Sequence, residues 1–376
     1  MVKVINFIHT ADIHLDMPFS SLGDDKAEQR REELLHSLYS IVNRAKASNV
    51  ELLLICGDLY EQSNIKQSTI NAIKNMFSEL YNTQIVICPG NHDYYTIQSA
   101  YQKLLQLKNV HILCHDTPYI LLDKLGVCVY GVGMQGDARG DIKSFQHQNV
   151  NTELFNIIAL HGTVDLPFEQ QNYNSISSKE LFSLNMDYIA IGHIHRHYFV
   201  KRENSFLINA GSLEPLGFDE EGQHGYVEGR IILDDNGQKN VDWSFISAAK
   251  RHYHNIEVDI NECTDNQMCL ERIQKVITSQ EDLYNIVLNG FVDETFTLDI
   301  GQLSEALEEQ AFYIRIKNNT SAKFSYEAYL EDPGIKGEFV RILVDMLEAE
   351  LDADKRETIE MAIQFGLQAM EQGRID

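Results

Sequence analysis

Val2-Lys3-Val4-Ile5-Asn6-Phe7-Ile8-His9-Thr10-Ala11-Asp12-Ile13-His14-Leu15 opens the chain, a short apolar strand that runs straight into a carboxylate and an imidazole. At the end of a strand, residues two apart point to the same side, so Asp12 and His14 are expected to grip one ion together. Four more segments repeat the plan. Gly57-Asp58 follows the apolar run Glu51–Cys56, and Gly90-Asn91-His92-Asp93 follows Gln84–Cys88. His161 ends Asn156–Leu160, and Gly192-His193-Ile194-His195 ends Tyr188–Ile191. One such segment would mean little, but five at the ends of strand-like runs point to a single built site.

Pooled, Asp12, His14, Asp58, Asn91, His161, His193 and His195 complete a cage for two divalent ions, with Asp58 used twice. Ions about 3.5–4 Å apart suit the in-line cleavage of phosphoesters. Asp58 stands after a glycine that lets the chain turn, and a carboxylate so placed can bridge both ions. His193 and His195 are expected to face one ion each, while Asn91 offers a neutral carbonyl oxygen. Two dications against Asp12 and Asp58 leave a net positive field, which attracts a phosphodiester and acidifies water. Mixed oxygen and nitrogen donors suit Mn²⁺ or Fe, with Zn²⁺ admissible. His92 is predicted to be the catalytic residue, contacting the scissile phosphate and protonating the leaving oxygen. Asp93 is expected either to orient His92 or to cap the following turn. His9 and His197 are candidates for supporting contacts. His36, His111, His115, His147, His224, His252 and His254 read as structural.

The order of elements frames that cage. Helical spacing of Leu34, Leu38, Ile41, Val42 and Ala45 predicts a helix over 28–47. Further helices are expected over 69–81 and 100–107, so the first third has the βαβαβ rhythm of a sheet flanked by helices. After Val110 the pattern changes to strands and short loops, ending in a hairpin at Asp234-Asp235-Asn236-Gly237, and predicts a second sheet facing the first. Three domains are expected: a catalytic domain over 1–250, an α/β cap over 251–330 and a helical tail over 331–376. Glu331-Asp332-Pro333-Gly334 breaks the chain before that tail. The tail has two helical patterns: Phe339, Ile342, Leu343, Met346 and Leu347 line one face of the first, and Ile359, Ala362, Ile363, Gly366 and Met370 line the second. Such stripes serve either as core or as anchors for a partner groove.

Composition bounds the partners. The formal net charge is -25, so the surface as a whole does not attract polyanions. The six cysteines form no CxxC pair, and Cys56 and Cys88 read as buried reduced thiols in a reducing cytoplasm. No apolar run approaches the ~18 residues of a membrane span. The N-terminal run leads directly into ligands and reads as structure, not as a signal peptide.

These motifs (DxH, GD, GNHD, a lone H and GHxH) resemble those of the calcineurin-like metallophosphoesterases. Within that superfamily the chain is similar to the SbcD-type DNA repair nucleases, especially a YhaO-like branch, through His9–Leu15, Gly57-Asp58-Leu59, Gly90–Asp93 and Asn209-Ala210-Gly211-Ser212. It departs at Tyr60-Glu61, where Phe and then Asp or His are usual, at Asp16 for Gly and at Ala210 for Pro. The resemblance implies a four-layer α/β/β/α sandwich with a small α/β cap domain and a C-terminal helical pair. It places Asp12, His14, Asp58 and His195 on one metal, and Asp58, Asn91, His161 and His193 on the other. It further implies Mn²⁺-dependent cleavage of DNA from an end, a homodimer, and an SbcC-like coiled-coil ATPase docked on the tail. Two competing readings are a phosphodiesterase for nucleotides or cyclic nucleotides, and a metal-binding scaffold that anchors a partner ATPase.

Overall fold

The computed structural model describes residues 2–134, 150–165, 176–234, 236–261, 263–292 and 296–372. The chain divides into two compact units, Met1–Tyr253 and His254–Asp376. In the first, strands β1 (Lys3–Thr10), β2 (Leu52–Ile55), β3 (Gln84–Ile87) and β4 (Val110–Ile112) lie parallel, side by side. They are joined through helices α1 (Asp24–Ala47), α2 (Gln67–Ser78) and α3 (Tyr101–Leu104). The α3 helix is shorter than the predicted 100–107. The chain leaves it for β4 at buried Asn109, whose Nδ2 donates to the carbonyls of Phe77, Leu80 and Thr83.

A second sheet is built from β5 (Tyr119–Leu122), β6 (Val127–Tyr130), β7 (Phe155–His161), β8 (Tyr188–Gly192), β9 (Tyr198–Arg202) and β10 (Ser205–Asn209). Its order is β5-β6-β7-β8-β10-β9. Strands β11 (Gly225–Leu233) and β12 (Lys239–Ser247) form the expected hairpin, but they belong to the first sheet. β11 pairs antiparallel along the whole of β1, from Lys3 opposite Leu233 to His9 opposite Val227. Local pattern cannot reveal such a pairing across more than two hundred residues.

The sheets face each other across one apolar layer. Phe7, Leu52, Leu54 and Val86 of the first meet Val129, Ile157, Tyr188, Ala190 and Ile208 of the second. The outer face of the second sheet buries Cys128, Ile158, Ile189 and Leu207 with Leu181 of α4 (Ser178–Ser183). The result is the four-layer α/β/β/α arrangement, with β2 and β8 buried on both faces as their unbroken apolar runs require.

One polar cluster sits inside this unit. Glu33 of α1 is 6% exposed and pairs with Arg30 at 2.7 Å, Arg251 at 2.6 Å and Lys250 at 3.0 Å. Burial opposes its charge, but hydrogen bonds from Arg251, Arg30 and Lys250 outweigh it and hold the pKa down to about 2. A depressed carboxylate pKa stabilises the fold above the unfolded value, here 4.5, and loses that contribution as pH falls through about 2. Glu33→Ala is therefore expected to cost about 3–5 kcal/mol at neutral pH, because it removes the carboxylate that pairs with the buried guanidinium groups of Arg30 and Arg251. The penalty shrinks in urea unfolding measured toward pH 2.

The second unit has a three-stranded sheet, β13 (Tyr253–Asp259), β14 (Leu283–Val292) and β15 (Tyr313–Ala322). Helices α5 (Asn266–Val276) and α6 (Ile300–Leu307) cover it with Cys269, Ile273, Leu303 and Leu307. The same unit includes the helical pair α7 (Ile335–Ala349) and α8 (Ala353–Gln372). Val340, Ile363 and Leu367 are buried there with Phe339, Leu343 and Ile359, over Phe324, Tyr326 and Tyr329. Ile342 and Met346, placed on the apolar stripe by spacing, are 52% and 51% exposed. All six cysteines are buried free thiols. Among the described residues no helix is long and apolar enough to cross a membrane.

Candidate metal centre

The predicted ligands converge beyond the C-terminal ends of β1, β2, β7 and β8 and in the loop after β3, but not by strand alternation. β1 stops at Thr10, and Asp12 and His14 adopt left-handed φ values of 51° and 50°. Asp58 (φ 51°) and His193 (φ 100°) do likewise. Non-glycine residues held in this region cost energy and collect at functional sites. Two loops fix them by zippering together: Asp12 N–H donates to Gly57 O at 3.1 Å, and His14 N–H to Asp58 O at 2.9 Å.

Two groups of side chains result. In one, His14 Nε2 lies 3.3 Å from His195 Nε2 and 3.7 Å from Asp58 Oδ2, and His195 Nε2 is 4.0 Å from Asp12 Oδ1. In the other, His161 Nε2 lies 3.1 Å from Asp58 Oδ2, 3.0 Å from Asn91 Oδ1 and 3.2 Å from His193 Nδ1. Asp58 Oδ2 thus belongs to both. Asp12–His14–His195 and Asp58–His161–His193 are each close enough to share a cation.

The donor chemistry fits such cations. His161 Nδ1–H donates to Cys56 O at 2.9 Å, leaving the Nε2 lone pair aimed at acceptors. His14 Nδ1–H is given to Glu61 Oε1 at 2.7 Å, and His195 Nδ1–H to Glu220 Oε1 at 2.6 Å. Their Nε2 lone pairs then face each other and repel unless a positive charge lies between. The electrostatics of the pocket make the same demand. Burial opposes charge on His161 and His195, yet Asp58 and Glu220 in particular carry their pKa values up to about 10 and about 9. Burial and the His161 charge push His193 down to about 4, and the surrounding histidines hold buried Asp58 well below the carboxylate range.

Glu61 and Glu220 are the residues that sequence reasoning missed. Glu61 stands at a noted departure from the family pattern, and nothing near Glu220 marks it out. Glu61 also accepts from His92 Nδ1 at 3.0 Å. Hydrogen bonds from both histidines overcome its burial and lower its pKa to about 2, and the same bond raises that of His92. The His92 side chain is 45% exposed, the most open of the cluster, and the His92 backbone N–H donates to Asp58 Oδ1 at 2.8 Å. Glu61 and Glu220 thus add two carboxylates behind the histidines, beside Asp12 and Asp58.

Asp93 neither orients His92 nor caps the next turn. Its carboxylate accepts from Gly90 N–H and Leu59 N–H at 2.6 Å each and from Tyr101 O–H, tying two ligand loops together. His9 is a core residue bonded to Tyr188 and to Ile191 O, its pKa pushed down to about 3 by burial. His197 donates to Asn209 O and stacks on Phe245. Asn209 Nδ2 donates to the carbonyls of Ile194 and Arg196, and Ser212 N–H to His195 O, so the Asn209–Ser212 segment staples the loop bearing His193 and His195.

Glycine is required where these loops touch. A Cβ on Gly90 would lie 2.3 Å from Asp58 Oδ1, and one on Gly57 2.1 Å from His161 Nδ1. Gly90→Ala is expected to displace Asp58, lowering stability by about 1–3 kcal/mol and divalent-ion uptake with it, read from melting and metal analysis.

A family model for calcineurin-like phosphoesterases matches residues 5–197. The chain is 24% identical over 330 residues to the uncharacterized metallophosphoesterase YhaO of Bacillus subtilis, covering 82% of this chain and 79% of that protein. It is 22% identical over 402 residues to the DNA double-strand break repair protein Mre11 of Archaeoglobus fulgidus, covering 93% and 82%. With the SbcD component of the Bacillus subtilis nuclease SbcCD it shares 22% identity over 277 residues, 64% of this chain and 68% of that one. Just over half of the chain matches the family model, and the two facing sheets carry candidate metal-binding groups at their strand ends: the chain belongs to the calcineurin-like phosphoesterases, which act on phosphoesters at a dinuclear metal site.

Proposed function

We propose that this chain is a DNA phosphodiesterase subunit acting at DNA ends in double-strand-break repair. Its cofactors are two divalent ions, Mn²⁺ foremost. Asp12, His14, Asp58 and His195 hold one, and Asp58, Asn91, His161 and His193 the other. When bound, the ions supply positive field for the phosphate and lower the pKa of water for in-line attack. The observation that carries the reading is His92. Its Nδ1 is held by Glu61 and its side chain stands open beside the buried ligands, so Nε2 serves as proton donor to a leaving oxygen.

Similarity to the SbcD component of nuclease SbcCD and to Mre11 supports a DNA substrate. With a net charge of -25, phosphate contacts are expected to come from a partner, an SbcC-like coiled-coil ATPase. Exposed Ile342 and Met346 on α7 and nearby Leu351 suit its docking, and a homodimer completes the assembly.

The same acidic charge favours, as a second reading, a small phosphodiester substrate. The test incubates the full chain and Mn²⁺ with linear duplex, closed circular duplex and bis-para-nitrophenyl phosphate, with and without the ATPase. Shortening of the linear DNA, sparing of the circle and loss of activity on chelation are expected. Hydrolysis of the small ester with both DNAs intact, ATPase included, would replace the DNA reading with the second one.

A further inference from the structure

Just past the loop of His193 and His195, the facing sheets end in an aromatic rim. Among the described strands, β9 and β12 are the outermost of the second and first sheets, so each has one strand neighbour. Rings tie these two edges together. His197 stacks on Phe245 with centroids 4.4 Å apart, and Trp243 meets Phe199 at 4.9 Å and Phe206 at 6.1 Å. Trp243 is only partly buried, and Phe199 is 54% exposed. β9 pairs with β10 so that Phe199 lies opposite Ile208 and Lys201 opposite Phe206. Residues two apart share a face of a strand, so Phe199 and Lys201 stand on the same side.

A single exposed ring carries little meaning, since scattered apolar side chains are ordinary on a surface. This one stands among charges of one sign. In a chain of net charge -25, the stretch Tyr188–Arg202 holds Arg196, Lys201 and Arg202 and no Asp or Glu. Lys201 Nζ lies 5.0 Å from the centroid of the Phe206 ring, a contact that positions the ammonium without neutralising it. The rim also adjoins the candidate centre: Phe199 is four residues beyond His195, at most about 14 Å of extended chain. Aromatic rings flanked by cations are the chemistry that holds unpaired nucleobases, because rings stack on any base and cations track the phosphates. Resting on the DNA reading above, we propose that Phe199 and Trp243, with Arg196 and Lys201, form a subsite for the unpaired strand of a DNA end. A base stacks on Phe199 beside Trp243, and the flanking phosphates meet the two cations. The subsite needs no metal. A fully paired end offers it no free base face, so it selects frayed or overhanging ends.

Trp243 is the chain's one tryptophan, so its fluorescence reports on this rim alone. The test titrates the chelator-stripped full chain at low salt with oligothymidylate and, separately, with a blunt duplex of the same length. The single strand is expected to quench Trp243, and the blunt duplex to leave it nearly unchanged. With two phosphate contacts, log affinity falls against log salt with a slope of about −1.4, and Lys201→Ala reduces that slope by about 0.7. Phe199→Leu weakens binding by about 5–100-fold, the range for one stacked base, whereas Phe199→Tyr, which keeps the ring, retains it. Absence of quenching by the single strand overturns the proposal, as does equal quenching by the duplex. Equal losses in the Leu and Tyr variants assign the effect to packing and also overturn it. An unquenched Trp243 in a chain that still shortens linear DNA with Mn²⁺ ends the subsite alone. Hydrolysis of the small ester with all DNA left intact ends the DNA reading itself.

Discussion

Asp58→Asn is expected to remove both ions and lower kcat/KM by about 10³-fold or more, roughly 4 kcal/mol of barrier. Asp58 Oδ2 lies 3.1 Å from His161 Nε2 and 3.7 Å from His14 Nε2, so it reaches both groups through their Nε2 atoms. An amide keeps the shape but removes the charge, and its N–H group can donate to the imidazole lone pairs in place of a cation. The metal-free variant is therefore expected to stay folded. Metal analysis after gel filtration checks the outcome: a variant that still carries two ions per chain would refute the bridging role.

His92→Gln is expected to leave the metal content intact while kcat falls by about 10²–10⁴-fold, the range for a positioned proton donor. His92 is not among the predicted ligands, and its ring stands outside the buried sets with Nδ1 fixed by Glu61 at 3.0 Å. A para-nitrophenolate leaves without a proton, whereas a nucleoside alkoxide needs one. The loss should accordingly be smaller on the chromogenic diester than on DNA. Equal losses on both substrates would assign His92 to phosphate binding alone and remove the proton-transfer role.

Much of this centre was legible in the chain. Each candidate ligand sits in a short motif directly after an apolar run, because a buried parallel strand needs such a run and its C-terminal end opens onto the site. Gly57 and Gly90 were legible too, though the reason lies in contacts from distant segments, His161 and Asp58 respectively. The strand-alternation argument for Asp12 and His14 does not describe their geometry, since both lie past the strand in left-handed turns. Spacing put Ile342 and Met346 on an apolar stripe but left open whether it faces core or a partner, because a helix with apolar residues on two sides does not say which side its neighbours cover.

The sequence by itself determined which side chains can coordinate cations and that they follow strands, since donor type and local periodicity are properties of neighbouring residues. Tertiary structure alone decided that β11 returns to pair with β1, that Asp93 ties loops together, and that Glu61 and Glu220 stand behind His14 and His195. The physical reason is separation along the chain. Glu220 meets His195 from 25 residues away and Glu61 meets His14 from 47, in loops whose positions are set by the sheets they leave. No pattern within one segment encodes where another carboxylate will come to rest.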